Sequence, residues 1–124
     1  MELELYREFA LEGKCFIHMN FSDLKNSSEF QTRIATIKPV IMKYAPDTLY
    51  AVTNIERVRF DSSLKAIVAD FMRFNGKYIR RSALYGFDGT KRIFMNSIMK
   101  MSGRTNVDFM FSEDGAIEWL LKAD

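Results

Sequence analysis

From Phe16 onward, short apolar runs of strand length alternate with helix-length segments whose apolar residues recur every three or four positions. Leu3, Leu5, Phe9 and Leu11 alternate with polar residues and predict a first strand ending at Glu12-Gly13-Lys14. Phe16–Phe21 predicts a second strand, paired with the first as a hairpin. Ser27-Ser28-Glu29 carries capping chemistry for a helix to about Tyr44, with Phe30, Ile34, Ile37, Val40, Ile41 and Tyr44 on one side. Pro39 projects from the opposite side and either kinks or splits that helix. Thr48–Thr53 reads as a buried strand. Asp61-Ser62-Ser63 then opens a helix carrying Leu64, Ile67, Val68, Phe71, Met72 and Phe74 on one face, and Asn75-Gly76 stops it. Tyr78–Phe87 predicts a strand, Gly89–Met101 a helix ended by Ser102-Gly103, and Val107–Phe111 a last strand. Ser112-Glu-Asp-Gly caps a closing helix with Ala116, Ile117, Trp119, Leu120 and Leu121.

The order is therefore β-β-α-β-α-β-α-β-α. Strands joined through helices imply parallel neighbours and right-handed crossovers, while the leading hairpin makes the sheet mixed. The expected fold is α/β, a mixed sheet of about five strands flanked by helices. Its 124 residues fit one domain, 1–124, with a single core. A composition of 48% hydrophobic and 27% charged residues excludes a disordered chain, and no apolar run is long enough to cross a bilayer. The acidic, alternating N-terminus is unlike a signal peptide, and Cys15 is the single cysteine. Both features lead to the expectation of a cytoplasmic protein.

Charge is unevenly spread. Residues 77–104 hold Lys77, Arg80, Arg81, Lys91, Arg92, Lys100 and Arg104 against one acid, Asp88, so this segment carries +6 and the remainder −4. Within it lies the third helix. On a helical wheel, Phe94, Met95, Ile98, Met99 and Met101 span an apolar arc of roughly 160°, against about 100° for an ordinary surface helix. Ile93 falls outside that arc. Either a neighbouring helix covers the strip as core, or part of it remains as an apolar groove beside Lys91, Arg92 and Lys100. Methionine-rich apolar surface rimmed by cations suits amphipathic ligands and anionic lipid interfaces.

Catalytic signals are weak. His18, the only histidine, alternates with apolar neighbours and reads as a packed or edge residue, with Cys15 pointing to the other sheet face. One Cys and one His cannot build a usual zinc site, and Gly86-x-x-Gly89-Thr-Lys lacks the spacing of a nucleotide-binding loop. A tight strand-to-helix turn accounts for both glycines. No catalytic residue, metal or cofactor is expected.

The stretch Ser82–Ile98, the following Ser102-Gly103-Arg104 and the late Phe111–Leu120 resemble the SpoIIAA-like family of small STAS-related domains. The matching is most specific from about Asn75 onward. The resemblance implies a mixed sheet flanked by helices and no established enzymatic activity. The family's similarity in fold to CRAL-TRIO lipid-binding domains implies an apolar pocket and membrane association. The related anti-sigma factor antagonists carry a phosphorylatable serine at a helix start, which Asp61-Ser62-Ser63 resembles in place. Leu64-Lys65-Ala66 follows where that group has glycines, and Ser62 and Ser63 also read as N-cap residues.

The leading expectation is a non-catalytic binding module for an apolar or amphipathic, lipid-like ligand or an anionic membrane surface. Its site would comprise Phe94, Met95, Ile98, Met99 and Met101, with Lys91, Arg92 and Lys100 contacting an anion. The alternatives are a protein-interaction module switched by phosphorylation at Ser62 or Ser63, and a homodimer that buries the strip. Nucleic acid is not an expected partner, because the basic groups accompany no recognition motif.

Overall fold

A computed structural model describes residues 4–87 and 89–123, apart from the side chain of Thr90. Leu3, read as opening the first strand, and Asp88, the acid of the basic segment, lie outside the described residues. β1 (Tyr6–Leu11) and β2 (Lys14–Asn20) form an antiparallel hairpin closed at Leu11 and Lys14. The two turn residues, Glu12 and Gly13, have φ of 48° and 78°. A loop with both central residues at positive φ matches the twist of the strands it joins.

Three crossovers follow. α1 (Ser27–Ile41) leads to β3 (Leu49–Asn54), α2 (Ser62–Asn75) to β4 (Ile79–Tyr85), and α3 (Gly89–Ser102) to β5 (Val107–Met110), before α4 (Glu113–Lys122). The sheet runs β1-β2-β3-β4-β5, with parallel pairing throughout except between β1 and β2. Crossovers that all advance in the same direction with the same hand place their helices on one face of a sheet. α1, α2 and α3 accordingly share one core with Ile17, Met19, Leu49, Ala51, Ile79 and Leu84. Among the described residues, α4 is the helix that packs on the other face, placing Ala116 and Leu120 against Phe16, Tyr50, Val52, Ala83 and Tyr85.

The element order agrees with the sequence reading, and the boundaries differ for physical reasons. The caps are Asn26 for α1 and Asp61 for α2, not the serines that follow them. Asn26 and Asp61 are the extended residues whose side chains accept the Glu29 and Ser63 amides. Pro39 neither splits α1 nor ends it, and the helix runs on to Ile41. A proline so near the C-terminus forgoes one hydrogen bond and leaves its ring on the exposed side. Tyr44 lies beyond the helix, where its hydroxyl donates to Glu8 at 2.6 Å. Burial and that bond push its pKa up to about 12. On α4 only Ala116 and Leu120 are buried, whereas Ile117, Trp119 and Leu121 are half-buried. Phe111, read as the end of the last strand, lies past β5 and is fully exposed.

Candidate ligand-binding site

α3 is positioned by the glycine turn that precedes it. Gly86 adopts φ +91°, and a Cβ there would sit 2.3 Å from Glu56 Cγ and 2.8 Å from the Glu56 amide nitrogen. Only glycine allows β4 to leave the sheet so close to the β3–α2 loop. Gly89 meets no such obstacle. The reading that one tight turn needs both glycines therefore holds for Gly86 alone.

The apolar circumference of α3 divides among three environments. Met95 and Ile98 are buried within the core formed with α1 and α2. Phe94 is half-buried, its ring centroid 5.1 Å from that of Phe60 in the β3–α2 loop. Phe60 continues the aromatic series to Phe30 at 6.3 Å and, through it, to Phe21 at 5.5 Å. Met99 is half-buried beside Lys100 in a shallow depression near the end of the helix, and Met101 is 45% exposed. Arg92 sits over the Phe109 ring at 5.3 Å.

Val58, Phe60, Lys65, Lys91, Ile93 and Phe94 bound an open groove of about 590 Å³ on the outer side of α2 and α3. Lys65 Nζ lies 5.2 Å from the Phe94 ring centroid, so a cation is held over the apolar floor. Ile93 is 74% exposed, and the groove gives that outward residue a role as its wall. Of the residues singled out in sequence, Phe94 and Lys91 meet here. Met95 and Ile98 are interior, while Met99, Met101, Arg92 and Lys100 lie elsewhere on α3. Phe60 and Lys65 escaped the sequence reading. Their only signal was an aromatic residue just before the Asp61 cap and a lysine in the first turn of α2.

Phe60 also lines a partly open cavity of about 50 Å³ between the sheet and the three helices. Its walls are mostly apolar, including Ile55, Leu84, Met95 and Val107, and Arg104 is among them. The Arg104 guanidinium braces the end of α2. Nε donates to Asn106 Oδ1 at 2.8 Å, while Nη1 donates to the Met72 carbonyl at 3.0 Å and to Asn75 Oδ1. Nη2 is buried and has no hydrogen-bond partner among the described residues. Desolvation lowers the Arg104 pKa to about 10, which leaves it a cation at neutral pH.

The remaining candidates are structural in geometry. Ser62 and Ser63 are exposed, and the Ser63 hydroxyl donates to Asp61 Oδ1. A phosphate on Ser63 would face that carboxylate as well as the favourable helix N-terminus. Asp61's pKa is lowered, chiefly by this hydrogen bond. His18 is buried on the α4 face, with Nε2 2.8 Å from the Tyr85 hydroxyl and 3.2 Å from Glu113 Oε1. Arg7 donates to the same Glu113 oxygen at 2.7 Å. Burial lowers the His18 pKa, against a smaller raising effect from Glu113, and burial raises Tyr85 to about 12. Cys15 pairs across the sheet with Ala10 and Leu49, one position out of phase with His18, so the two side chains occupy opposite faces. Among the described residues no group of three His, Cys, Asp or Glu side chains is placed to hold a metal ion, and no helix is long and apolar enough to cross a membrane.

In comparisons with known proteins, the chain matches no family model, no curated protein and no solved structure.

Proposed function

We propose that this chain is a non-catalytic binding module of SpoIIAA-like type that takes an amphipathic anionic molecule in the groove between α2 and α3. The observation that carries this reading is the placement of Lys65 and Lys91 around the half-buried Phe94 and the exposed Ile93. Apolar atoms of the ligand rest on Phe60, Ile93 and Phe94, and its charged group lies toward the two lysines. A lipid with an anionic headgroup has this chemistry, whether taken singly or at the surface of a bilayer.

Native mass spectrometry of the purified protein tests for a single bound lipid, and sedimentation with phosphatidylglycerol vesicles tests for a surface. The expected result is a lipid adduct or vesicle binding that weakens with salt, absent with phosphatidylcholine and at least tenfold weaker in Ile93→Glu and Lys65→Glu. The absence of both an adduct and salt-sensitive sedimentation would overturn the reading. A homodimer in the analytical ultracentrifuge that dissociates in Ile93→Glu would also overturn it, because a second copy would then occupy the groove.

A further inference from the structure

The partly open cavity beside Phe60 has a polar spot on its sheet side. Thr53 on β3 and Ser82 on β4 both line it, and each is only 7% exposed. Strand alternation sets them on the three-helix face, Thr53 in phase with Leu49 and Ala51 and Ser82 in phase with Leu84. Ala51 pairs with Ser82 and Thr53 with Leu84, so the two residues are diagonal neighbours across adjacent strands. Strand spacing and rise put such Cα atoms roughly 8 Å apart.

A buried hydroxyl is normally hydrogen-bonded, because leaving one unmet costs free energy. Neither the Thr53 nor the Ser82 hydroxyl has a hydrogen-bond partner among the described residues, and neither is sealed in protein as Arg104 Nη2 is. Hydroxyls that are unmet yet unsealed front open space, and the space that both residues border is the cavity. The other polar residues of the wall, Asn75 and Arg104, are bonded to each other. Among the described residues no carboxylate lines the cavity, and the spare Arg104 nitrogen is closed off from it. The wall therefore offers uncharged donors and acceptors, with nothing to balance a charge.

The rest of the lining is apolar, including the rings of Phe21, Phe30, Phe60 and Phe71 with Leu84 and Met95. About 50 Å³ corresponds to roughly three to five water-sized volumes, hence to about four or five heavy atoms. A ligand hydroxyl both donates and accepts. Two hydrogen bonds of about 2.8 Å through one such oxygen bridge most of the interval between Thr53 and Ser82. Water alone would meet the hydroxyls but leave the ring and thioether walls wet, whereas a short alkyl group covers them.

We propose that this cavity binds a neutral primary alcohol of three or four carbons, its hydroxyl bonded to Thr53 Oγ1 and Ser82 Oγ and its alkyl end against Phe60, Leu84 and Met95. Binding here is independent of the groove. A protein that ignores lipid vesicles can still bind propanol, and the reverse also holds.

The test is NMR titration of the intact protein with 1-propanol. 1-Chloropropane keeps the chain without the hydroxyl, and sodium propionate and propylammonium chloride add a charge of either sign. Expected are saturable shifts at the Thr53 and Ser82 amides, and nuclear Overhauser contacts from the propanol methyl to the Leu84 and Met95 methyl groups. Chloropropane should bind at least fivefold more weakly, and the two ions should produce neither signal. Thr53→Val and Ser82→Ala each remove a hydroxyl that the fold leaves unmet. Both should keep or raise the melting temperature while weakening propanol at least threefold and leaving chloropropane unchanged. Loss of stability in both variants would show hydroxyls held by the protein itself and overturn the proposal. Failure of propanol to saturate, equal binding of chloropropane, or an absence of contacts to Leu84 and Met95 would show a cavity filled by water alone and overturn it too.

Discussion

The two faces of the sheet are held by different physics. On one, α1, α2 and α3 bury a continuous apolar layer from Ile17 to Ile98, with Phe21, Phe30, Phe60 and Phe94 forming an aromatic series to the surface. On the other, α4 docks through Ala116 and Leu120 and is pinned by polar contacts at both ends. At its start Glu113 meets Arg7 and His18; at its end Lys14 Nζ donates to the carbonyls of Leu120 and Leu121, each at 3.0 Å, and to that of Ala123. Apolar burial scales with area and is insensitive to pH, whereas pinning by a few charged groups depends on their protonation. The contrast predicts that the three-helix face, which also bears the groove, carries most of the stability and that α4 opens separately from it.

Truncations break or sharpen this contrast most strongly. Leu64→Ala, at a fully buried position on the three-helix face, should cost about 3 kcal/mol of global stability by denaturant unfolding. Leu120→Ala, equally buried, should cost about 2 kcal/mol and act locally. Hydrogen exchange should then quicken across Glu113–Lys122 while β2–β4 amides keep their protection. Equal global losses in the two variants would remove the distinction between the faces.

A smaller effect is expected from Lys14→Met, which takes a cation from the carbonyl end of α4. About 1 kcal/mol should be lost, again confined to exchange in α4. The smallest concerns acidity. His18 is held neutral by burial, so its folded pKa lies below the unfolded value of 6.5. The unfolded chain then binds more protons in that window, and stability rises with pH there. The cost is absent above about 6.5 and grows as pH falls through the folded pKa. NMR titration should place the His18 midpoint below 6.5, and His18→Gln should remove the associated loss of α4 protection. A midpoint above 6.5 would mean that Glu113 outweighs burial.

The element order was legible because alternating and three-to-four-residue apolar periods report directly on strand and helix. The breadth of α3's apolar arc was legible for the same reason. What covers that arc was not, because the cover comes from α2 and from Phe60, a loop residue distant in sequence whose neighbours are set only by the crossover. The caps were displaced by one residue for a related reason. Asn26 and Asp61 stand beside serines of equal capping chemistry, and only the backbone angle decides which one leaves the helix. Gly86 and Gly89 look equivalent in sequence, but the approach of Glu56 separates them. Arg104 was legible as charge, and its burial was not, since its partners Met72 and Asn75 belong to the end of α2.

The most direct test uses tryptophan fluorescence with vesicles of brominated phosphatidylglycerol, whose bromines quench only fluorophores at the bilayer. The chain has one tryptophan, Trp119, on the α4 face beneath Arg81. Ile93→Trp with Trp119→Phe moves the single fluorophore to the groove wall. The groove account predicts strong quenching in that variant, reversed by salt, and almost none for native Trp119. Quenching of Trp119 equal to or greater than that at position 93 would contradict it.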